Sequence, residues 1–90
     1  MTDNTREDFD ALDARTRATV RDAMRVRLTH GPMKQSKSRI KRLRELRHPQ
    51  FRLRVEDIRV FYDVIDMDVV IIAIMPKKDT IQWLEEHGEQ

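Results

Sequence analysis

Three arginines and two lysines carry the chemistry this chain offers. Arg52 and Arg54 sit two residues apart in the alternating stretch Phe51–Val55, and Arg59 follows a short break. Lys77 and Lys78 come directly after Pro76. Arginine grips phosphate oxygens through two parallel N–H bonds and stabilises the charge that builds on a five-coordinate phosphorus. A lysine among other cations has a lowered pKa in principle and can handle a proton. RNA brings its own nucleophile, the 2′-hydroxyl, so such a cluster can cleave RNA without a nucleophilic side chain. The same residues equally allow binding alone.

Other chemistries lack their parts. The chain has no Cys, which excludes disulfides, thiolate metal sites and thiol nucleophiles. Its three His, at 30, 48 and 87, are far apart in sequence and give no metal-ligand spacing. His30 and His48 read as loop residues beside Gly31-Pro32 and Pro49. There is no phosphate-cradling glycine loop, HExxH or GxSxG. The acids lie mainly on the first helix and the tail, so neither paired-carboxylate catalysis nor an acid-bound catalytic metal is expected. No cofactor is expected either.

The charge is segregated. Net charge is only +2, yet residues 34–59 hold ten basic residues against three acidic, and residues 79–90 hold four acids and no Lys or Arg. A mid-chain basic block is the footprint of a polyanion, nucleic acid first. A solvated basic face is the bland alternative.

The elements that must position these cations follow from periodicity. Ninety residues make one domain, 1–90, small enough for its stability margin to be thin. Phe9, Leu12, Thr16, Val20, Ala23, Met24 and Leu28 recur at helical steps, so residues 5–29 read as helix. Asp13 can cap a second helix after a short break, giving a hairpin that Gly31-Pro32 ends. Lys34–Lys37 reads as a polar loop. Residues 38–47 are ambiguous, because Ile40, Leu43 and Leu46 suit a short helical stretch or irregular chain. Phe51–Val55, Ile58–Ile65 and Asp68–Met75 read as strands, joined by turns at Glu56-Asp57 and Asp66-Met67. Asp79 is placed as N-cap of a last helix that Gly88 stops, with Trp83 and Leu84 packing it on the sheet. The fold class is α+β, a helical hairpin on an antiparallel β-meander with a short C-terminal helix. No run approaches a membrane span, and residues 1–15 show no signal-peptide pattern, so a cytoplasmic protein without a membrane partner is expected.

A tight turn at Glu56-Asp57 sets the register. Val55 then faces Ile58, Arg54 faces Arg59, Leu53 faces Val60, Arg52 faces Phe61 and Phe51 faces Tyr62. One face collects Phe51, Leu53, Val55, Ile58, Val60 and Tyr62 for the helices to cover. The other collects Arg52, Arg54, Arg59 and Phe61, and carrying the alternation through the next turn adds Val70, Ile72 and Ile74. Arg54 opposite Arg59 costs about 0.2–1 kcal/mol as a like-charge pair. An anion would reverse the sign; Asp63 or Glu45 could instead neutralise the patch.

Residues 52–62 (RLRVEDIRVFY), followed by DVIDMDVVIIAIMPKKD, closely resemble the core of the RelE/ParE toxin superfamily, with its R-x-R-x-G-x-x-R-V-x-Y hairpin, valine/isoleucine strand and later basic residue. The similarity extends over about residues 7 to 85. It implies a toxin of a type II toxin–antitoxin pair that cleaves mRNA on the ribosome and inhibits translation. Arg54, Arg59 and Lys77 would be catalytic, Lys77 as proton donor or further charge stabiliser; Arg52 and Lys78 would be general base or RNA contacts, and Arg42, Arg44 and Arg47 would contact RNA. The implied partners are a cognate antitoxin, the ribosome and mRNA, with no small-molecule cofactor. An antitoxin element would cover an apolar patch of Phe61, Ile72 and Ile74. ParE-like members poison DNA gyrase instead, and a degenerate member would only bind antitoxin or nucleic acid. Three departures stand out. Glu56 replaces the turn glycine. Thr80-Ile81-Gln82-Trp83 lacks the usual catalytic Tyr or His, leaving His87 as the nearest candidate. No strand-like segment precedes the first helix, so three to four strands are expected, with an exposed edge for a partner to fill.

Overall fold

Asp13 begins the architecture. Its carboxylate accepts the Thr16 amide at 2.7 Å, the N-cap bond that starts α2 (Ala14–His30) after α1 (Asp3–Asp10). The computed structural model describes residues 3–31 and 39–90; the Lys34–Lys37 loop, Pro32 and Met33 lie outside the described residues. The sheet follows: β1 (Ile40–Arg42), β2 (Phe51–Val55), β3 (Ile58–Ile65) and β4 (Asp68–Pro76). A 3₁₀ turn (Lys77–Asp79) leads into α3 (Thr80–His87). All strand pairs are antiparallel, in the order β1-β2-β3-β4. The molecule is an α+β domain, and no helix among the described residues is long and apolar enough to cross a membrane.

The cap makes a testable prediction. The Thr16 backbone and side-chain bonds hold the Asp13 carboxyl below its ordinary 3.8. A carboxyl lowered by folding stabilises above its unfolded value and loses that contribution as pH falls through its folded value. Asp13→Ala should therefore lose helicity and melt lower than wild type at pH 7. Circular-dichroism melts of the two should converge once the pH is well below 3.8.

The β2–β3 register is the one the sequence predicts, residue for residue from Phe51↔Tyr62 to Val55↔Ile58. Glu56 takes φ 53°, the left-handed conformation that a tight two-residue turn asks of its first residue. In the next hairpin Asp66 and Met67 both have positive φ, as a type I′ turn requires. Leu53, Val60 and Tyr62 are completely buried on one face, under Phe9, Val20 and Leu28 of the helices. Full burial of each such side chain contributes roughly 1.5–3 kcal/mol.

Three expectations are corrected. The first concerns Ile40–Arg42, which is a strand, not a helical or irregular stretch. Ile40 lies opposite Leu53 and is buried, and this long-range pairing outweighs the helical spacing of Ile40, Leu43 and Leu46.

The second concerns β4. Tyr62 pairs with Ile71 but Phe61 pairs with Ala73, so Ile72 is an extra residue in a β-bulge. The bulge inverts the alternation beyond it. Ile74 joins Val60 in the main core, while Ala73 and Met75 turn to the other face with Phe61. The small Ala73 beside Phe61 leaves room for Trp83 of α3, whose ring stacks on Phe61 at 5.1 Å between centroids. Thr5 of α1 donates its hydroxyl to Ile72 O at 2.9 Å, with Ile71 O at 3.3 Å, and Asp8 of α1 lies near the Ile74 amide, which lowers its pKa against a larger upward push from burial. Side chains of α1 thus take up the middle of the β4 outer edge, where the sequence left an edge open for a partner.

The third concerns the chemistry at Asp79: it is the N-cap residue of α3, as the sequence predicts, but its side chain makes no cap bond because its backbone is already helical, and Thr80 Oγ1 donates to Lys77 O at 2.9 Å. Gly88 does stop α3. A Cβ there would lie 2.6 Å from Leu84 O, so only glycine allows this close return of the chain.

Candidate nucleic-acid interface

Alternation along β2 and β3 sends Arg52, Arg54 and Arg59 to the sheet face opposite the helical hairpin. Arg54 stands directly across from Arg59. Burial, and then the Arg54 charge, lowers the Arg59 pKa, with Asp57 partly opposing. Burial first, then Arg59 and Arg54, lowers that of Arg52. The three charges therefore feel one another. Among the described residues none of the three forms an ion pair with a carboxylate. Arg52 Nε is buried with no hydrogen-bond partner. An unsatisfied buried charged donor costs more than a neutral one and is relieved by an anion.

Arg59 is held rather than free. It is 7 % exposed, and its Nη1 donates to Glu56 O at 2.8 Å and Ile58 O at 3.1 Å. The turn that brings the two strands together thus also fixes the guanidinium. Arg54 is exposed beside it.

Lys77 and Lys78 are exposed at the same end of the sheet, because the Lys77 amide donates to Asp57 O at 2.8 Å and ties the end of β4 to the β2–β3 turn. β1 adds a cation that belongs with this group. Lys41 pairs with Arg52 and shares its face, while Ile40 and Arg42 point the other way. The helical reading of this segment hid the alternation that would have found it.

Arg42 is placed differently from expectation. Its guanidinium lies over the Phe51 ring at 5.0 Å, on the hairpin side of the sheet, so it does not join the cationic face. Arg44 and Arg47 are exposed in the segment between β1 and β2. Arg44 lines a cleft of about 530 Å³ with Lys41, Arg42, Leu43, Leu46 and Leu84 of α3, and the acid Glu45 lies among these cations.

The apolar patch expected of Phe61, Ile72 and Ile74 is not a surface. Phe61 is 1 % exposed under Trp83, and Ile74 is 2 % exposed in the main core. Ile72 is half-buried at the bulge. The chain's own elements take up most of the expected patch, α3 covering Phe61 and the main core enclosing Ile74.

Asp63 does not neutralise the arginines. Its Oδ1 accepts the Gln50 amide at 2.7 Å, and its Oδ2 bonds His48 Nδ1. His48, read from the sequence as a loop residue, is therefore held by a buried carboxylate on the cationic side of β3. The signal was present in part, since Asp63 shares the parity of Arg59. What was missing was the chain return that puts His48 against it. Two other candidate proton carriers fare worse. Tyr62 is fully buried in the main core, and burial pushes its phenol well above the ordinary value. His87 stacks on Trp83 at 5.2 Å, with its Nδ1 3.2 Å from Trp83 O. Among the described residues no three His, Asp or Glu side chains gather as a metal site would need.

This arrangement gathers three guanidinium groups on one sheet face, with that of Arg59 fixed by backbone carbonyls, which is chemistry suited to an anionic ligand, and it has one imidazole held by a carboxylate on the same side of β3. Compared with known proteins, the chain matches no family model, no curated protein and no solved structure.

Proposed function

We propose that this domain is a RelE-like toxin of a type II toxin–antitoxin pair, a metal-independent endoribonuclease that cleaves mRNA on the ribosome and stops translation. The observation that carries the reading is the set of three guanidinium groups on one sheet face with no carboxylate among the described residues to pair them. A fold gains nothing from that juxtaposition in the free state, since like charges placed opposite one another destabilise. A bound phosphodiester turns the same placement into a favourable one.

In this reading Arg54 and Arg59 hold the scissile phosphate and stabilise the charge developing on it. Lys77 stands as proton donor or further cation, and Arg52, Lys78 and Lys41 contact the RNA backbone on either side. Arg44 and Arg47 extend the grip towards ribosomal or messenger RNA. A cognate antitoxin would answer the same cations with acids, and action on the ribosome would place the protein in the cytoplasm.

The test is inducible expression with three readouts in the same cells: translation rate, mRNA 5′ ends and DNA supercoiling. New mRNA ends appearing with translation arrest are the expected result. DNA damage with intact mRNA would transfer the protein to the gyrase-poison class. Harmless accumulation at high level would leave a module that only binds antitoxin or nucleic acid, a reading favoured by the lack of Tyr or His in Thr80–Trp83 at the start of α3.

A further inference from the structure

The tip of the β3–β4 hairpin is apolar and acidic, and it stands in solvent. Met67 is 91 % exposed and Ile65 53 %. Asp66 and Asp68 are exposed beside them, and residues 60–76 hold no Lys or Arg. Met67 has φ 71°, a left-handed conformation that disfavours any side chain, and a type I′ turn is most at ease with glycine there. The methionine thus carries a backbone cost and returns no burial within its own chain. Strain of this kind, at an exposed apolar residue, points to a contact made outside the chain.

A surface of opposite character lies at the same end of the same sheet face. Arg42 pairs with Phe51, and Phe51 with Tyr62, so the chain leaves β1 at the end where β3 turns into β4. Ile65 lies four residues beyond Phe61 on β3 and shares its face, as Arg52 and Lys41 do. The cleft at that end, about 530 Å³, is lined by Leu43, Leu46 and Leu84, and carries three cations against the single acid Glu45. Its volume is within the roughly 300–1,000 Å³ of pockets that enclose small ligands. The tip offers two aliphatic side chains and two acids; the cleft offers an apolar lining and a cationic rim. A hairpin cannot fill the cleft of its own molecule. The β3–β4 ladder is continuous up to Ile65↔Asp68, so the tip does not bend back, and β1 is two strands away, about 10 Å across the sheet.

We propose that the cleft receives the β3–β4 tip of a second copy of this chain, with Met67 and Ile65 on its leucines and Asp66 and Asp68 facing Lys41 and Arg44. Tip and cleft are different patches at one end of the molecule. A two-fold axis beyond that end lets both insertions form at once, so the exchange closes as a dimer instead of growing into a chain. Removing Met67 and Ile65 from water is the gain that offsets the turn conformation. The contact is small and charged, so the dimer is weak and sensitive to salt. Such association does not depend on RNA cleavage.

The experiment is sedimentation equilibrium of the full chain from about 10 µM to about 1 mM, the weak range that a small contact implies. Wild type should pass from monomer to dimer and no further, and added salt should move it back towards monomer. Met67→Gly should weaken the dimer by at least about tenfold, since two buried side chains are lost per dimer. Its fold should persist by circular dichroism, because glycine suits the left-handed position. Charge reversal gives the sharper result. One variant combines Asp66→Asn with Asp68→Lys, the asparagine keeping the turn conformation. The other combines Lys41→Glu with Arg44→Glu. Each alone should remain monomeric, and their mixture should form a one-to-one dimer, because the reversed tip meets the reversed cleft and the native tip meets the native cleft. Wild type that stays monomeric at the highest concentration overturns the proposal and leaves the cleft to an acidic peptide or to RNA. A dimer that Met67→Gly retains at wild-type strength places the contact elsewhere and overturns it too. Assembly beyond the dimer, or reversed variants that fail to pair when mixed, would equally defeat the two-fold exchange.

Discussion

Arg59→Ala should abolish growth arrest and slow RNA cleavage by about 10²–10³-fold, the range expected when one preorganised donor to a developing oxyanion is removed. The size follows from how Arg59 is held. Its Nη1 bonds to Glu56 O and Ile58 O keep the side chain aimed before any substrate arrives, so no ordering cost falls on the reaction step. The fold should survive. The deleted bonds end on carbonyls of a two-residue turn, and their net contribution of about 1–3 kcal/mol is partly offset by relief of the Arg54 repulsion. Arg59→Lys should sit between the two, keeping the charge and losing the two-pronged geometry. Circular dichroism checks the fold, and a reconstituted translation assay reads the activity. A folded Arg59→Ala protein that arrests translation like wild type would leave the cationic face without its proposed role.

Phe61→Ala should have the largest effect on stability among residues of the cationic side, about 3–5 kcal/mol. Phe61 is 1 % exposed, forms a small second core with Ala73 and Met75, and carries the stack through which Trp83 attaches α3. Truncation removes a buried ring and leaves a cavity that Ala73 cannot fill. A domain this small holds only about 0.05–0.15 kcal/mol per residue, so such a loss threatens the native state itself. Urea titration of wild type and variant measures it directly. If Phe61 instead lay on an open surface, as simple alternation along the strands suggests, the change would stay within about 0.5 kcal/mol.

These two residues mark the boundary of what could be read in advance. The position of Arg59 is legible in the sequence because it depends on near neighbours in the chain: a tight turn and strict alternation bring it opposite Arg54. Alternation gives the face of Phe61 but not its burial, which depends on Trp83 of α3, remote in the chain. The bulge at Ile72 explains the parallel error for Ile74. One extra residue in β4 reverses every side chain beyond it, and the run from Val69 to Met75 is apolar throughout, so its pattern contains nothing that distinguishes one face from the other. His48 shows the same limit at the site. Neither its type nor its neighbours announce a partner, and the carboxylate that holds it is fifteen positions away.

From residue order alone came the α+β class, the helical hairpin with its Asp13 cap, the β2–β3 register and the gathering of Arg52, Arg54 and Arg59. All of these arise from short-range periodicity, turn chemistry and charge. Folding in three dimensions decided that Ile40–Arg42 is a strand carrying Lys41 beside Arg52, that α3 closes over Phe61, and that His48 meets Asp63. Those outcomes are set by which volumes fit together and which buried polar groups find partners, and both depend on residues remote in the chain.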